Sequence, residues 1–135
     1  MREASADAVQ LIAGLLTHMK QIVGDGASYA MLHYGAMEEG KRFGAGYGPG
    51  DLPRVLERID TVLMQRSEVV GDDGSSVKVR VHSSALLSTG QRSIQGVILG
   101  LIEGALSSSR QGRYKGTVLQ TAEKGEMLVE LKRDG

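Results

Sequence analysis

The stretch GQRSIQGVILGLIEGALS, residues 90–107, decides the fold of this 135-residue chain. Three of its four glycines, Gly96, Gly100 and Gly104, recur at every fourth position. Its apolar residues recur at spacings of three and four, which places them along one face of a helix. They are Ile94, Val97, Ile98, Leu101, Ile102 and Ala105. The glycines lie about 150° around the helix from the centre of that face, so the pattern predicts a helix covered on two sides.

The glycines of this helix need a compensating interaction, because each glycine inside a helix costs about 1 kcal/mol relative to alanine. A second helix is predicted over residues 27–43. Small residues recur at the same spacing within it and directly after it, at Ala36, Gly40 and Gly44. Small side chains let two helix backbones come close together. The two sets of small residues are therefore predicted either to face each other or to line a common space.

Two further amphipathic patterns predict helices over residues 5–23 and 52–63. The apolar face of the first is regular and is expected to be buried. It comprises Ala8, Leu11, Ile12, Leu15, Leu16, Met19, Ile22 and Val23. The face predicted for the other comprises Leu52, Val55, Leu56, Ile59, Val62 and Leu63. Ser5, Ser28 and Asp51 are the predicted N-caps, because their side chains can accept hydrogen bonds from the first backbone N–H groups.

The remaining segments predict four strands arranged as two hairpins. They span residues 67–70, 77–82, 113–121 and 126–132. Turn residues at 71–74 and 123–125 join each pair. Valine alternates with polar residues in the second strand, which predicts one covered and one solvated sheet face. We therefore predict a single α+β domain over residues 1–135, in which a four-stranded antiparallel sheet carries about four helices on one face.

Composition excludes several classes of function. Sixteen basic and sixteen acidic side chains cancel, so no overall field attracts nucleic acid or an anionic membrane. The absence of cysteine rules out disulfides, thiolate metal sites and cysteine nucleophiles, and it is compatible with the cytoplasmic location that we expect. The longest apolar stretch, residues 97–106, is shorter than the roughly 20 residues that a membrane span needs. We also expect no secretory signal.

Residues 27–132 resemble the vinyl-4 reductase domain family, whose members are also described as predicted hydrocarbon-binding proteins. Two motifs carry the resemblance: YGAMEEGKRFG at 34–44, and SIQGVILGLIEGAL at 93–106 followed by the closing hairpin. The family is related in fold to the TRAPP vesicle-transport subunits. The resemblance implies a small apolar ligand, an acyl chain or a tetrapyrrole-like molecule, held between helices and sheet. It also implies a sensor or adaptor role and a homodimer.

This sequence departs from the family at positions that could bind a metal. Many relatives carry cysteines there, and the matching positions fall near Gln91, Thr121 and Met127, none of which can supply a thiolate. We therefore predict no metal site of that kind and no cofactor.

The candidate ligand-binding residues lie on the two glycine-bearing helices. They are Tyr29, His33, Ala36, Gly40, Gly96, Gly100, Glu103 and Gly104. Glu103 borders the glycines, and if it is buried it needs either a cation, for which Lys41 and Arg42 are available, or a raised pKa. His33 could orient a ligand or could simply pack beside a tyrosine.

Three functional classes remain open after this reading. A non-catalytic binding or sensor domain is the leading hypothesis. A homodimeric adaptor, in which the glycines serve only helix packing, is the alternative. An enzyme ranks third, because no nucleophile, base and orienting group can be assembled into a catalytic constellation.

Overall fold

A computed structural model of the chain describes residues 2–120 and 125–134 as an α+β fold. The helices are α1 (Arg2–Val23), α2 (Asp25–Gly44), α3 (Leu52–Leu63) and α4 (Arg92–Ser109). The strands are β1 (Arg66–Asp72), β2 (Ser76–His82), β3 (Tyr114–Gln120) and β4 (Met127–Arg133). Short 3₁₀ helices at Pro49–Asp51 and Leu87–Thr89 precede α3 and α4. The predicted fold class is confirmed.

The sheet is antiparallel throughout and has the strand order β1-β2-β4-β3. Both predicted hairpins pair, and a β2–β4 ladder, with Val79 opposite Val129, joins them into one sheet. This order makes β1 and β3 the edge strands. Residues 121–124 lie outside the described part of the chain, and most of the predicted 123–125 turn lies there too.

One face of the sheet is covered and the other is solvated, as the alternation in β2 predicts. Val77, Val79 and Val81 are fully buried, whereas Lys78 and Arg80 are exposed. The buried face packs against α3 and α4. Its core comprises Val55, Ile59, Ile98, Ile102, Leu106, Met127, Val129 and Leu131 as well as the three valines.

Helix α4 is covered on two sides, by the sheet and by α2, and 13 of its 18 residues are buried. The small residues of the two helices face each other. A Cβ atom added at Gly100 would lie 2.9 Å from the Ala36 Cβ, and one added at Gly40 would collide with the Leu101 carbonyl. Tyr29 meets Gly96 near the start of both helices, so α2 and α4 run in the same direction.

The structure corrects all three predicted N-caps. Ser5 lies inside α1, which begins three residues earlier. Ser28 lies inside α2, where its buried hydroxyl shares a 3.1 Å hydrogen bond with the Ser93 hydroxyl of α4. Asp51 does precede α3, but its carboxylate accepts the Gly48 N–H at 2.8 Å and makes no cap bond to α3. At Ser28, a hydrogen bond between two helices takes the place of the predicted N-cap.

The prediction that α1 buries its apolar face is wrong. Leu16 is buried, but the exposed fraction is 63% at Leu11, 59% at Leu15 and 82% at Ile22. Within the described part of the chain, α1 packs chiefly along α2, so no element covers the rest of its apolar face. Val62 of α3, also predicted to be buried, is exposed as well.

Candidate functional site

The site is built around a hydrogen bond between two residues 70 positions apart. His33 of α2 and Glu103 of α4 lie one on each helix, and the His33 Nε2 to Glu103 Oε1 distance is 2.9 Å. The Glu103 side chain is only 4% exposed and the His33 side chain 30%. A carboxylate can only accept hydrogen bonds, so His33 Nε2–H is the donor whenever Glu103 is ionised.

An aromatic column on α2 supports the His33 ring. The Tyr29 ring stacks on the His33 ring with the centroids 6.0 Å apart. The Arg92 guanidinium covers the Tyr29 ring at 4.8 Å from its centroid, a distance at which a cation and an aromatic face attract each other. A Cβ added at Gly96 would lie 3.1 Å from the Tyr29 ring. The glycine therefore makes room for the ring that orients His33.

A cavity of about 650 Å³ opens beside the His33–Glu103 pair, between α2, α4 and the start of β3. This volume lies within the range of about 300–1,000 Å³ typical of small-molecule pockets. The cavity is lined by His33, Met37, Lys41, Glu103, Ser107, Ser108, Gly112, Arg113, Tyr114, Lys115, Gly116 and Asp134. The pair thus forms part of a concave wall on the side of the edge strand β3.

Gly116 allows β3 to pass close to the buried carboxylate. A Cβ at this position would lie 2.8 Å from Glu103 Oε1 and 2.6 Å from Leu99 Cδ1. A glycine inside a strand often marks such a close approach. This signal was present in the sequence, but sequence reasoning did not use it.

Charged residues of both signs border the cavity. Lys41 and Arg113 are cationic, and Glu103 and Asp134 are acidic. Lys115 also borders it, but its pairing with Lys132 puts the Lys115 side chain on the solvated face of the sheet. Lys41 lies 3.3 Å from Glu38, which is outside the cavity, so its charge is partly compensated. The walls thus combine apolar surface with charged groups of both signs.

Of the eight candidate residues, the structure places His33 and Glu103 in the cavity wall. The other six lie in the α2–α4 contact or in the column beside it, and they are Tyr29, Ala36, Gly40, Gly96, Gly100 and Gly104. The hydrogen-bond partner of Glu103 is His33, not Lys41 or Arg42, which pair with Glu38 and Glu39. Sequence reasoning missed the contribution of residues 112–116, because a strand edge carries no periodic signal of its own.

Two kinds of arrangement are absent from the part of the chain that the structure describes. No three side chains among its His, Asp and Glu residues come together as a metal site would require. None of its helices combines the length and apolarity that crossing a bilayer demands. The site as described is therefore a cavity with a single His–Glu pair.

Comparison with known proteins identifies the fold. No protein-family model matches the sequence, and neither does any curated protein. Among solved structures, the chain is similar to a trafficking protein particle complex subunit 3 from Naegleria fowleri, covalently bound to palmitic acid. The identity is 15% and the TM-score 0.70, and the match covers 100% of this chain and 98% of that one.

The chain is also similar to two further solved structures. The phenol-responsive sensory domain of the transcription activator PoxR, solved with phenol, matches with 12% identity and a TM-score of 0.72, covering 93% of this chain and 74% of that one. An H-NOX domain matches more distantly, with 15% identity, a TM-score of 0.56 and coverage of 89% and 70%. At these identities the likeness establishes a shared fold, the TRAPP-like α+β fold.

Proposed function

We propose that this chain is a non-catalytic binding domain for a small organic molecule held in the cavity between α2, α4 and β3. The observation that carries the proposal is the cavity of about 650 Å³ beside the His33–Glu103 pair. A concave site with a few convergent polar groups is the usual form of a small-molecule pocket. The neighbours solved with phenol and with palmitic acid support this function.

The cavity walls favour a compact ligand over a long acyl chain or a tetrapyrrole-like molecule. Met37 and Tyr114 are the only lining residues with a large apolar side chain in the described part of the chain. A long hydrocarbon ligand is held by predominantly apolar walls. We also propose that the domain belongs with the vinyl-4 reductase domain family as a cytoplasmic sensor module.

The proposal is tested by filling the cavity. Native mass spectrometry and organic extraction of the purified wild-type protein should reveal a co-purified small molecule, or thermal-shift measurements with phenols and fatty acids should show stabilisation. Met37→Trp places a larger side chain at the cavity wall and should abolish that binding. Met31→Trp is the matched control, because Met31 lies on the same helix but is 57% exposed and outside the cavity.

Either of two results would contradict the binding function. One is a wild-type protein that carries no small molecule and gains no thermal stability from any compound in the series. The other is a Met37→Trp variant that folds and binds as well as the Met31→Trp control does.

We propose as a second candidate that the chain is a homodimeric adaptor, and the apolar face of α1 favours it. The exposed residues Leu11, Leu15 and Ile22 lie at spacings of four and seven along one side of α1. Such a stripe is the pattern of a helix that packs on another helix. A second copy of α1 offers a matching surface, as in most symmetric dimers.

The dimer is tested by sedimentation velocity at micromolar concentration. Wild type should sediment as a dimer, and Leu15→Glu should sediment as a monomer because a charge in an apolar interface is costly to bury. Val62→Glu, on exposed α3 surface, should leave the dimer intact. A monomeric wild type, or a dimer that survives Leu15→Glu, would contradict an interface built on α1.

A further inference from the structure

We infer that Arg92 is a positioning residue for the cavity. It holds the Tyr29 ring in place, and through that ring it keeps the His33 imidazole on Glu103. This role rests on the proposed binding function and adds to it a residue that lies outside the cavity wall. Arg92 therefore contributes to the affinity for the ligand without touching it.

Three successive contacts lead from Arg92 to the cavity wall. The Arg92 guanidinium lies 4.8 Å from the centroid of the Tyr29 ring. The Tyr29 and His33 rings stack at an interplanar angle of 23° with their centroids 6.0 Å apart, and the His33 Nε2–H reaches Glu103 Oε1 at 2.9 Å. On α4 itself, roughly 16 Å of helix axis, or about three turns, separate Arg92 from Glu103. The side chains of α2 bridge that separation.

Arg92 is anchored to α2 at two points. Its Nη1 donates a hydrogen bond to Asp25 Oδ2 at 2.9 Å, while the guanidinium lies over the Tyr29 ring. Asp25 and Tyr29 are four residues apart on α2, so they lie on one face of that helix. A guanidinium suits this double contact, because it can donate to a carboxylate and stack on an aromatic face at once. Gly96, one turn after Arg92, leaves the space that the Tyr29 ring occupies.

His33 depends on this support because the helix contact fixes its backbone but not its ring. A Cβ added at Gly100 would lie 2.5 Å from the His33 carbonyl oxygen, so the backbone is closely packed there. The His33 side chain is 30% exposed, and it can leave its hydrogen bond by rotating about χ1 or χ2. Within the described residues, His33 is the only side chain that hydrogen-bonds Glu103. Rotation of His33 therefore changes both the shape and the polarity of the cavity wall.

The test uses variants at Arg92 and Tyr29 and has two readouts. The first is the exchange of the His33 Nε2–H proton with water, measured by NMR on the ligand-free protein, in which His33→Gln identifies the signal. The hydrogen bond to Glu103 protects this proton, so its exchange reports how firmly the ring is held. The second is the Kd for two probes, phenol and octanoate, measured by calorimetry.

Arg92→Gln should speed the exchange of the His33 proton and weaken the binding of a probe about twofold to fivefold, as expected for the loss of an exposed cation–π contact. Tyr29→Leu should move both readouts in the same direction. Adding Arg92→Gln to Tyr29→Leu should then change neither any further, because Arg92 acts through the ring. Tyr29→Phe, which keeps the ring, should retain the His33 signal.

Arg54→Gln is the matched control. Arg54 also lies in the first turn of a helix, α3, and pairs with a carboxylate, that of Asp51 at 4.0 Å, but it is remote from the aromatic column and outside the cavity wall. This variant should change neither readout.

Two results would overturn the positioning role. One is an Arg92→Gln variant that has a lower Tm but an unchanged His33 signal and unchanged Kd values, as a merely structural residue would give. The other is a pair of losses, from Arg92→Gln and Tyr29→Leu, that add up in the double variant. The binding function fails separately, if neither probe binds and the purified protein carries no small molecule. In that case the His33 signal of the ligand-free protein still decides whether Arg92 positions the ring.

Discussion

At the scale of single residues, three glycines set the distance between α2 and α4. Gly96 accommodates the Tyr29 ring, Gly100 lies against Ala36, and Gly104 lies against the Met37 carbonyl. Each would bring its Cβ into another residue's space, and at two of the three that space is filled by backbone. Backbone cannot move aside as a flexible side chain can, so Gly100 and Gly104 admit no larger residue.

Gly104→Ala should therefore destabilise the domain, although alanine is the better helix former. Its Cβ would lie 2.8 Å from the Lys41 nitrogen as well as against Met37, and overpacking of this kind costs about 1–3 kcal/mol. Gly35→Ala is the control, because a Cβ at exposed Gly35 meets nothing within 4 Å; it should stabilise by up to about 1 kcal/mol. Urea unfolding measures both. A Gly104→Ala variant that is stabilised as Gly35→Ala is would show that the helix contact is loose.

The sequence could predict these glycine contacts but not the partner of Glu103. Four-residue spacing in two helices is a periodic signal, and the cost of glycine in a helix gives it a physical meaning. Lys41 and Arg42 were predicted as possible partners because they lie on the opposing helix. The partner is His33, since the parallel alignment of the two helices sets it level with Glu103. Such an alignment depends on tertiary packing.

At the scale of elements, an ion pair connects the residue that follows α4, Arg110, to the β1–β2 hairpin. Arg110 donates two hydrogen bonds to Asp72, Nη2 to Oδ2 at 2.6 Å and Nη1 to Oδ1 at 3.1 Å. Tyr114, at the start of β3, donates its hydroxyl to the Gly74 carbonyl of the same hairpin at 2.9 Å. The hydrogen bonds from Arg110 hold the pKa of the Asp72 carboxyl below its ordinary value of 3.8.

This ion pair should make stability depend on pH in the acid range. A carboxyl whose pKa is lower in the folded state stabilises the fold above its unfolded pKa, near 3.8, and that contribution is lost as the pH falls through the folded pKa. Asp72→Asn should therefore lower the free energy of unfolding at pH 7 by about 1 kcal/mol, allowing for solvent screening. The difference between variant and wild type should shrink below pH 3.8.

Denaturant unfolding between pH 7 and pH 2.5 measures this difference. Glu57→Gln is the control, because Glu57 is exposed and belongs to no ion pair of the described residues; it should leave the curve nearly unchanged. A difference for Asp72→Asn that stays constant down to pH 2.5 would show that the charge on Asp72 contributes nothing.

At the scale of the whole molecule, the fold was more predictable than the cavity. Helix and strand periods and the turn residues specified two hairpins and four helices, and the alternation in β2 specified which sheet face is covered. The cavity depends on where the edge of β3 passes relative to α2, and no local pattern records that position. The error at α1 has a related cause. An amphipathic pattern shows that a face needs a cover but does not show which element or molecule supplies it.

The exposed face of α1 leads to a prediction about the dynamics of the molecule. An isolated helix of this length gains most of its stability from packing, and in one copy the described part of α1 buries only Leu16. In a monomer its amides should exchange with solvent much faster than those of α4, which is covered on two sides. Association through α1 should slow that exchange, so the protection of α1 amides should rise with protein concentration while that of α4 stays constant. Hydrogen exchange at low and high micromolar concentration, with monomeric Leu15→Glu as the reference, measures both helices in one experiment. Strong α1 protection that is independent of concentration would show instead that packing along α2 is sufficient to hold the helix.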